Sequence, residues 1–146
     1  MHAQRFAAEH GARAAPDVET AVRDADVVVT ATSAREPILR GAWLKPGAYV
    51  NAVGSPRPTW RELDDNVMSS GVLVVDSREA VLKESGDVIL SKAPIYAEVG
   101  EIFAGAKPKP PVGCTTVFKS VGIAVEDLAA AKLVHEAVAR QALAIS

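Results

Sequence analysis

Four short clusters in this chain carry the side chains and bare backbone that ligand chemistry needs. Thr30, Thr32 and Ser33 close a continuous apolar run with hydroxyls and free amides, groups that can meet phosphate or ribose oxygens. Val53-Gly54-Ser55 closes a second apolar run with small groups, so a flat ring can approach the backbone without striking a side chain. Lys119-Ser120-Val121-Gly122 sets a cation, a hydroxyl and an unhindered backbone side by side; the competing interpretation is a tight turn before a helix. Lys83-Glu84-Ser85-Gly86-Asp87 concentrates charge beside a glycine, which suits either a grip on a charged substrate or a solvated helix terminus.

The elements that must position these clusters alternate between strand and helix. Residues 27–32 are continuously apolar rather than alternating, the pattern of a strand buried on both faces of a parallel sheet. Residues 49–53 form a second strand, entered through the turn Lys45-Pro46-Gly47 and left through a loop that Pro56 and Pro58 stiffen. Thr59-Trp60-Arg61-Glu62 fits a capping box and predicts a helix over 59–69, which makes Asp64-Asp65 a solvated acidic face. A third apolar run, 72–76, leads through Ser77 into a helix over 78–84 that Gly86 interrupts. Residues 1–10, 17–25 and 95–104 read as further helices, 12–15 as a weak strand, 115–119 as a strand and 123–142 as a long alanine-rich helix. The proline-rich connector 107–112 separates the last two elements from the rest. Strand and helix in alternation predict an α/β fold with a parallel sheet.

Composition narrows the class. The 146 residues are 49% hydrophobic and 23% charged with a net charge of −2, which suits a folded globular domain and disfavours a nucleic-acid surface. One cysteine, Cys114, precludes an intrachain disulfide and points to a reducing, cytoplasmic setting; without a nearby histidine or second cysteine it reads as structural or incidental rather than as a nucleophile. Three scattered histidines argue against a metal site. No apolar run approaches the length of a membrane span, and residues 1–15 lack the pattern of a signal peptide.

Segments 25–32 (ADVVVTAT), 36–39 (EPIL), 45–53 (KPGAYVNAV), 60–65 (WRELDD), 76–87 (DSREAVLKESGD), 115–122 (TTVFKSVG) and 125–132 (VEDLAAAK) closely resemble, in order, the ornithine cyclodeaminase/mu-crystallin family. The resemblance implies a homodimer with a Rossmann-like NAD(P) domain and a separate dimerisation and substrate domain. Residues 1–112 then correspond to an incomplete nucleotide domain lacking its first two strands, and 113–146 to a segment that returns to the dimerisation domain. By the same resemblance, Thr32, Ser33 and Val53 line the nicotinamide nucleotide, Ser120 with Lys119 approaches its nicotinamide end, and Glu84 faces the ligand pocket.

The implied cofactor is NADH or NADPH. The implied substrate is a cyclic ketimine such as a piperideine- or thiazoline-type carboxylate, with ornithine cyclisation or alanine-dehydrogenase-like chemistry as the enzymatic alternative. Iodothyronine binding without turnover, or a dimerisation fragment pairing through 123–142, are non-enzymatic alternatives. Two departures from the family pattern stand out. Pro56 falls where cyclodeaminases carry an aspartate, which disfavours ornithine cyclisation. The family's glycine-rich turn and neighbouring strands precede the part matched here, so the expectation is little catalysis by this polypeptide and an exposed apolar edge at 27–32.

Overall fold

The computed structural model describes residues 2–143. Strands β1 (Val27–Thr30), β2 (Tyr49–Ala52), β3 (Val72–Val75), β4 (Ile95–Glu98) and β5 (Thr116–Lys119) form one parallel sheet in the order β1-β2-β5-β3-β4. Helices α1 (His2–His10), α2 (Val18–Val22), α3 (Asp65–Ser70), α4 (Arg78–Glu84), α5 (Gly86–Ser91), α6 (Val99–Phe103) and α7 (Ala124–Leu143) fill the connections and the C-terminal end. The α/β expectation is met. β5 lies after the connector 107–112 and yet is inserted between β2 and β3, so a division at residue 112 passes through the sheet.

One face of the sheet carries the core. Val28, Val50, Val117, Leu73 and Val75 point toward Leu39, Leu63, Val67, Met68, Val81 and Val88, and together they form a single buried cluster. At about 25 cal/mol per Å² of apolar surface removed from water, this packing is what folds the chain. The opposite face is bare at one side: Val27 and Val29 are 59% and 60% exposed. Burial of β1 therefore alternates, correcting the expectation of a strand covered on both faces. β1 is also the sheet's edge, in agreement with the expected exposed apolar edge. α7 carries Leu128, Leu133, Val134 and Val138 in the open.

Four local expectations are corrected. Residues 12–15 form no strand. The short helix expected within 95–104 starts only at Val99, as α6, opened by a capping box between Glu98 and Glu101, and the residues before it form β4, which pairs with β3. Pairing to a sheet edge overrides the local helical pattern. Third, the capping box at Thr59 does not form. The helix starts later, at Asp65, with Asp64 as its cap: Asp64 Oδ1 accepts from the amides of Val67 (2.8 Å) and Gly41 (3.1 Å). Fourth, Asp64 is consequently a structural acceptor rather than part of a solvated acidic face. Elsewhere Ser77 caps its helix as expected, accepting from the Ala80 amide, while Asp17, expected within a helix over 17–25, stands just before α2 and caps it by accepting from the Thr20 amide.

The displaced helix start yields a direct test. Replacing a capping aspartate by alanine costs about 1 kcal/mol. D64A is expected to lower stability in urea unfolding by that amount or more, whereas T59A, at an exposed position with no capping role, is expected to leave it unchanged.

Candidate functional site

In a parallel sheet every strand delivers its C-terminal end to the same edge, and ligands bind where the strand order reverses. Here the reversal surrounds β5, the last strand in sequence, flanked by the ends of β2 and β3. The amide of Val53 donates to the Thr30 carbonyl (2.9 Å), that of Ser55 to Thr32 (2.8 Å) and that of Ser120 to Ala52 (3.0 Å). These bonds bring Thr32, Ser33, Val53 and Ser120 onto one rim. Thr32, Ser33 and Val53 are exposed there, and Ser120 is half-buried.

The rim is held from beneath by charged groups. In the covered face, the last row across the sheet is Thr30, Ala52, Lys119 and Val75 in register. Glu62, fully buried, lies against this row. Its carboxylate accepts from Thr30 Oγ1 (2.9 Å), the Thr32 amide (2.6 Å), Thr32 Oγ1 (2.7 Å) and the Gly54 amide (3.0 Å), joining the ends of β1 and β2. Asp87, also fully buried, accepts from the amides of Glu62 and Leu63, both at 3.0 Å. Lys119 Nζ stands 3.0 Å from Asp87 Oδ2 and donates to the Gly54 carbonyl at 2.6 Å, joining β2 to β5. Its well-aligned bond is the one to Gly54; the contact with Asp87 is ionic, since Oδ2 has no aligned donor. Asp76 continues the series, accepting from Ser120 Oγ (2.7 Å) and from the amides of Val121 and Gly122 (both 2.9 Å), and so joins β3 to β5. Glu98 accepts from the Arg78 amide (2.7 Å), and the Arg78 guanidinium reaches the carbonyls of Ile95 and Tyr96, joining β3 to β4.

Two expected site residues sit differently from the rest. Lys119 is wholly enclosed below the rim, its ammonium spent on Gly54 and Asp87, so it reaches the rim only through the Gly54 carbonyl. Glu84 is exposed on α4 and lines a shallow depression of about 220 Å³ with Ser77, Glu79, Ala80 and Lys83. Within that depression Lys83 pairs with Glu79 at 2.7 Å. The hydrogen bond between them holds the Glu79 carboxyl below its usual range and raises the lysine.

The cluster 83–87 follows neither of its two expected readings as a whole. Ser85, Gly86 and Asp87 are buried. Gly86 lies beneath the loop after β2, donating its amide to Arg57 (2.9 Å), and a Cβ there would strike the backbone of Trp60 and Pro58. The loop is tied on its outer side too. Trp60 is flanked by the guanidiniums of Arg35 (5.0 Å) and Arg57 (5.3 Å). Ser55, fully buried, adopts a left-handed φ of 47° and donates its hydroxyl to the Ala34 carbonyl.

Sequence reasoning missed the buried roles of Glu62, Asp76 and Asp87 in holding the strand ends. The available signal was a charge embedded in apolar surroundings: Asp87 precedes Val88-Ile89-Leu90, Asp76 ends an apolar strand, and Lys119 ends another. Removing one partner of a buried ion pair costs about 3–5 kcal/mol, because the other charge is left uncompensated. D87N and K119M are each expected to destabilise by that order. The double variant D87N/K119M should lose markedly less than the sum of the two, as measured by a double-mutant cycle in urea.

Comparison with known proteins bears on this geometry. The family model "Ornithine cyclodeaminase/mu-crystallin family" matches residues 1–142. Ketimine reductase mu-crystallin of Mus musculus is 58% identical over 139 residues, covering 92% of this chain and 44% of the relative. The chain thus spans less than half the length of the curated relatives it matches. Among solved structures, Thermococcus litoralis Δ1-pyrroline-2-carboxylate reductase in complex with NADH and L-proline superposes with a TM-score of 0.85 at 36% identity, covering 96% of this chain and 46% of that one. An archaeal alanine dehydrogenase dimer with bound NAD superposes with a TM-score of 0.80 at 29% identity, covering 94% of this chain and 45% of that one. By its own sequence and by its fold, the chain belongs to the ornithine cyclodeaminase/mu-crystallin family.

Proposed function

We propose that this protein reduces cyclic ketimine carboxylates with NADH or NADPH, and that residues 27–122 supply the nicotinamide-side wall of the site. The observation that supports this reading is the gathering of Thr32, Ser33, Val53 and Ser120 on one rim at the strand reversal, in a fold shared with a reductase that binds NADH. The residues fit the group: the strand ends are small, and a planar ring can lie on them without meeting a bulky side chain. When bound, NAD(P)H supplies the hydride.

The remaining work falls to the chain. The rim orients the ring: Val53 offers an apolar surface, Ser33 offers a hydroxyl beside it, and Thr32, its hydroxyl donated to Glu62, lines the rim next to them. The Ser120 hydroxyl is aimed by Asp76 and accepts from the Gly122 amide at 3.1 Å, which leaves one lone pair on its oxygen. Glu84 in this reading faces the substrate cation, its carboxylate stabilising the charge of a protonated imine. Lys119 acts from below by fixing Gly54. A homodimer and a cytoplasmic location belong to the same reading, and iodothyronine binding without turnover is the alternative to it. No helix among the described residues is long and apolar enough to cross a membrane.

Titration of the isotope-labelled chain with NADH, followed by NMR, tests it. Shifts confined to residues 31–33, 53–55 and 120–122 are expected, and their absence there overturns the reading. A second measurement addresses the chemistry. With Pro56 where cyclodeaminases carry aspartate, ornithine is expected to yield no proline, and any slight consumption of NAD(P)H by this chain is expected with Δ1-piperideine-2-carboxylate.

A further inference from the structure

We propose that Glu62 is a positioning residue: its carboxylate turns the amides of Thr32 and Gly54 inward, closes this part of the rim to phosphate, and leaves it for an uncharged or cationic ring. The argument begins with saturation. A carboxylate offers roughly four acceptor directions, and Glu62 fills them with two amides and two hydroxyls from the ends of β1 and β2. It has no free lone pair for substrate or for proton transfer. Its own backbone is held as firmly, since Asp87 accepts from the amides of Glu62 and Leu63.

Gly54 is held at both ends of its residue. Its amide goes to Glu62, and its carbonyl to Lys119. A Cβ at Gly54 would collide with the Glu62 carboxylate and the Thr32 backbone, so the position admits only glycine in this geometry. Free amides at strand ends are what bind phosphate elsewhere in nucleotide folds. Here an internal anion already occupies two of them, and Asp76 occupies those of Val121 and Gly122 on the far side of β5. With these amides already donated to internal carboxylates, none of the four is left to hold a phosphate, whereas a neutral or cationic ring needs no such donors. The proposal rests on the reductase reading for the identity of that ring, as nicotinamide, and on the geometry alone for the role of Glu62.

Amide hydrogen exchange of the 146-residue chain, read residue by residue in the absence of nucleotide, is the test. In E62Q the amide nitrogen of the new side chain faces donors instead of accepting from them. The Thr32 and Gly54 amides are expected to exchange at least about tenfold faster, while Val74 and Val117 in the sheet centre stay within about twofold. If E62Q does not fold, T32V carries the test. It alters an exposed side chain, and it should speed exchange at Gly54 severalfold through the loosened carboxylate. Unchanged exchange at Gly54, or acceleration spread evenly over the sheet, overturns the proposal. So does a shift of the Thr32 or Gly54 amide when inorganic phosphate is added to the parent chain. None of these readouts requires nucleotide, so a parent chain that fails to respond to NADH defeats the reductase reading while leaving Glu62 to be judged by exchange.

Discussion

The rim depends on a buried ion pair between Lys119 and Asp87. Burying two charges is expensive, and an apolar pair of the same size is often at least as stabilising. What the charges contribute is direction. The contact fixes Asp87, Asp87 fixes the backbone of Glu62, and Glu62 fixes the ends of β1 and β2, while Lys119 itself seizes the Gly54 carbonyl. Arg61, 4.0 Å from Asp87, adds a second cation, so the enclosed cluster is close to electroneutral. Hydrophobic packing has no such specificity of angle. The core decides that the sheet forms; the polar links decide where its loops lie.

Much of the fold was legible because apolar runs of four or five residues bounded by turn chemistry leave few alternatives to a parallel sheet. The cap at Ser77 was legible too, being local. What escaped was decided at a distance. IYAE followed by VGEIF reads as one helix until the edge of β3 offers hydrogen bonds to its first half. The sequence TWRE satisfies every local rule for a capping box, and the glutamate is nonetheless drawn away, because donors from two strand ends form a better site than one frayed helix terminus. The candidate site divides along the same line. Thr32, Ser33, Val53 and Ser120 stand at strand ends, which periodicity locates. The burial of Lys119 and, apart from the Gly54–Glu62 bond, the links of the carboxylates to the rim's backbone depend on contacts between residues 24 to 65 positions apart, which no window of sequence contains.

The sheet is protected unevenly, and the placement of its links follows that unevenness. Across β3, Val74 is buried as well as Leu73 and Val75, so apolar contact grips that strand from both sides. At β1 and the start of β2 only one face is covered, while Val27, Val29 and Tyr49 stand open and the outer edge of β1 is unpaired. A strand packed on one face and bonded on one side has freedom to shift or fray at its end. That is where Glu62 acts, rising from the covered face to take Thr30, Thr32 and Gly54 together. A wall that has to meet a flat ring needs its loops fixed to within a fraction of an ångström, and packing from one side does not supply this. Directed bonds from a buried anion do. The cost of enclosing that anion falls at the part of the sheet where apolar packing is weakest and the rim has most need of a fixed shape.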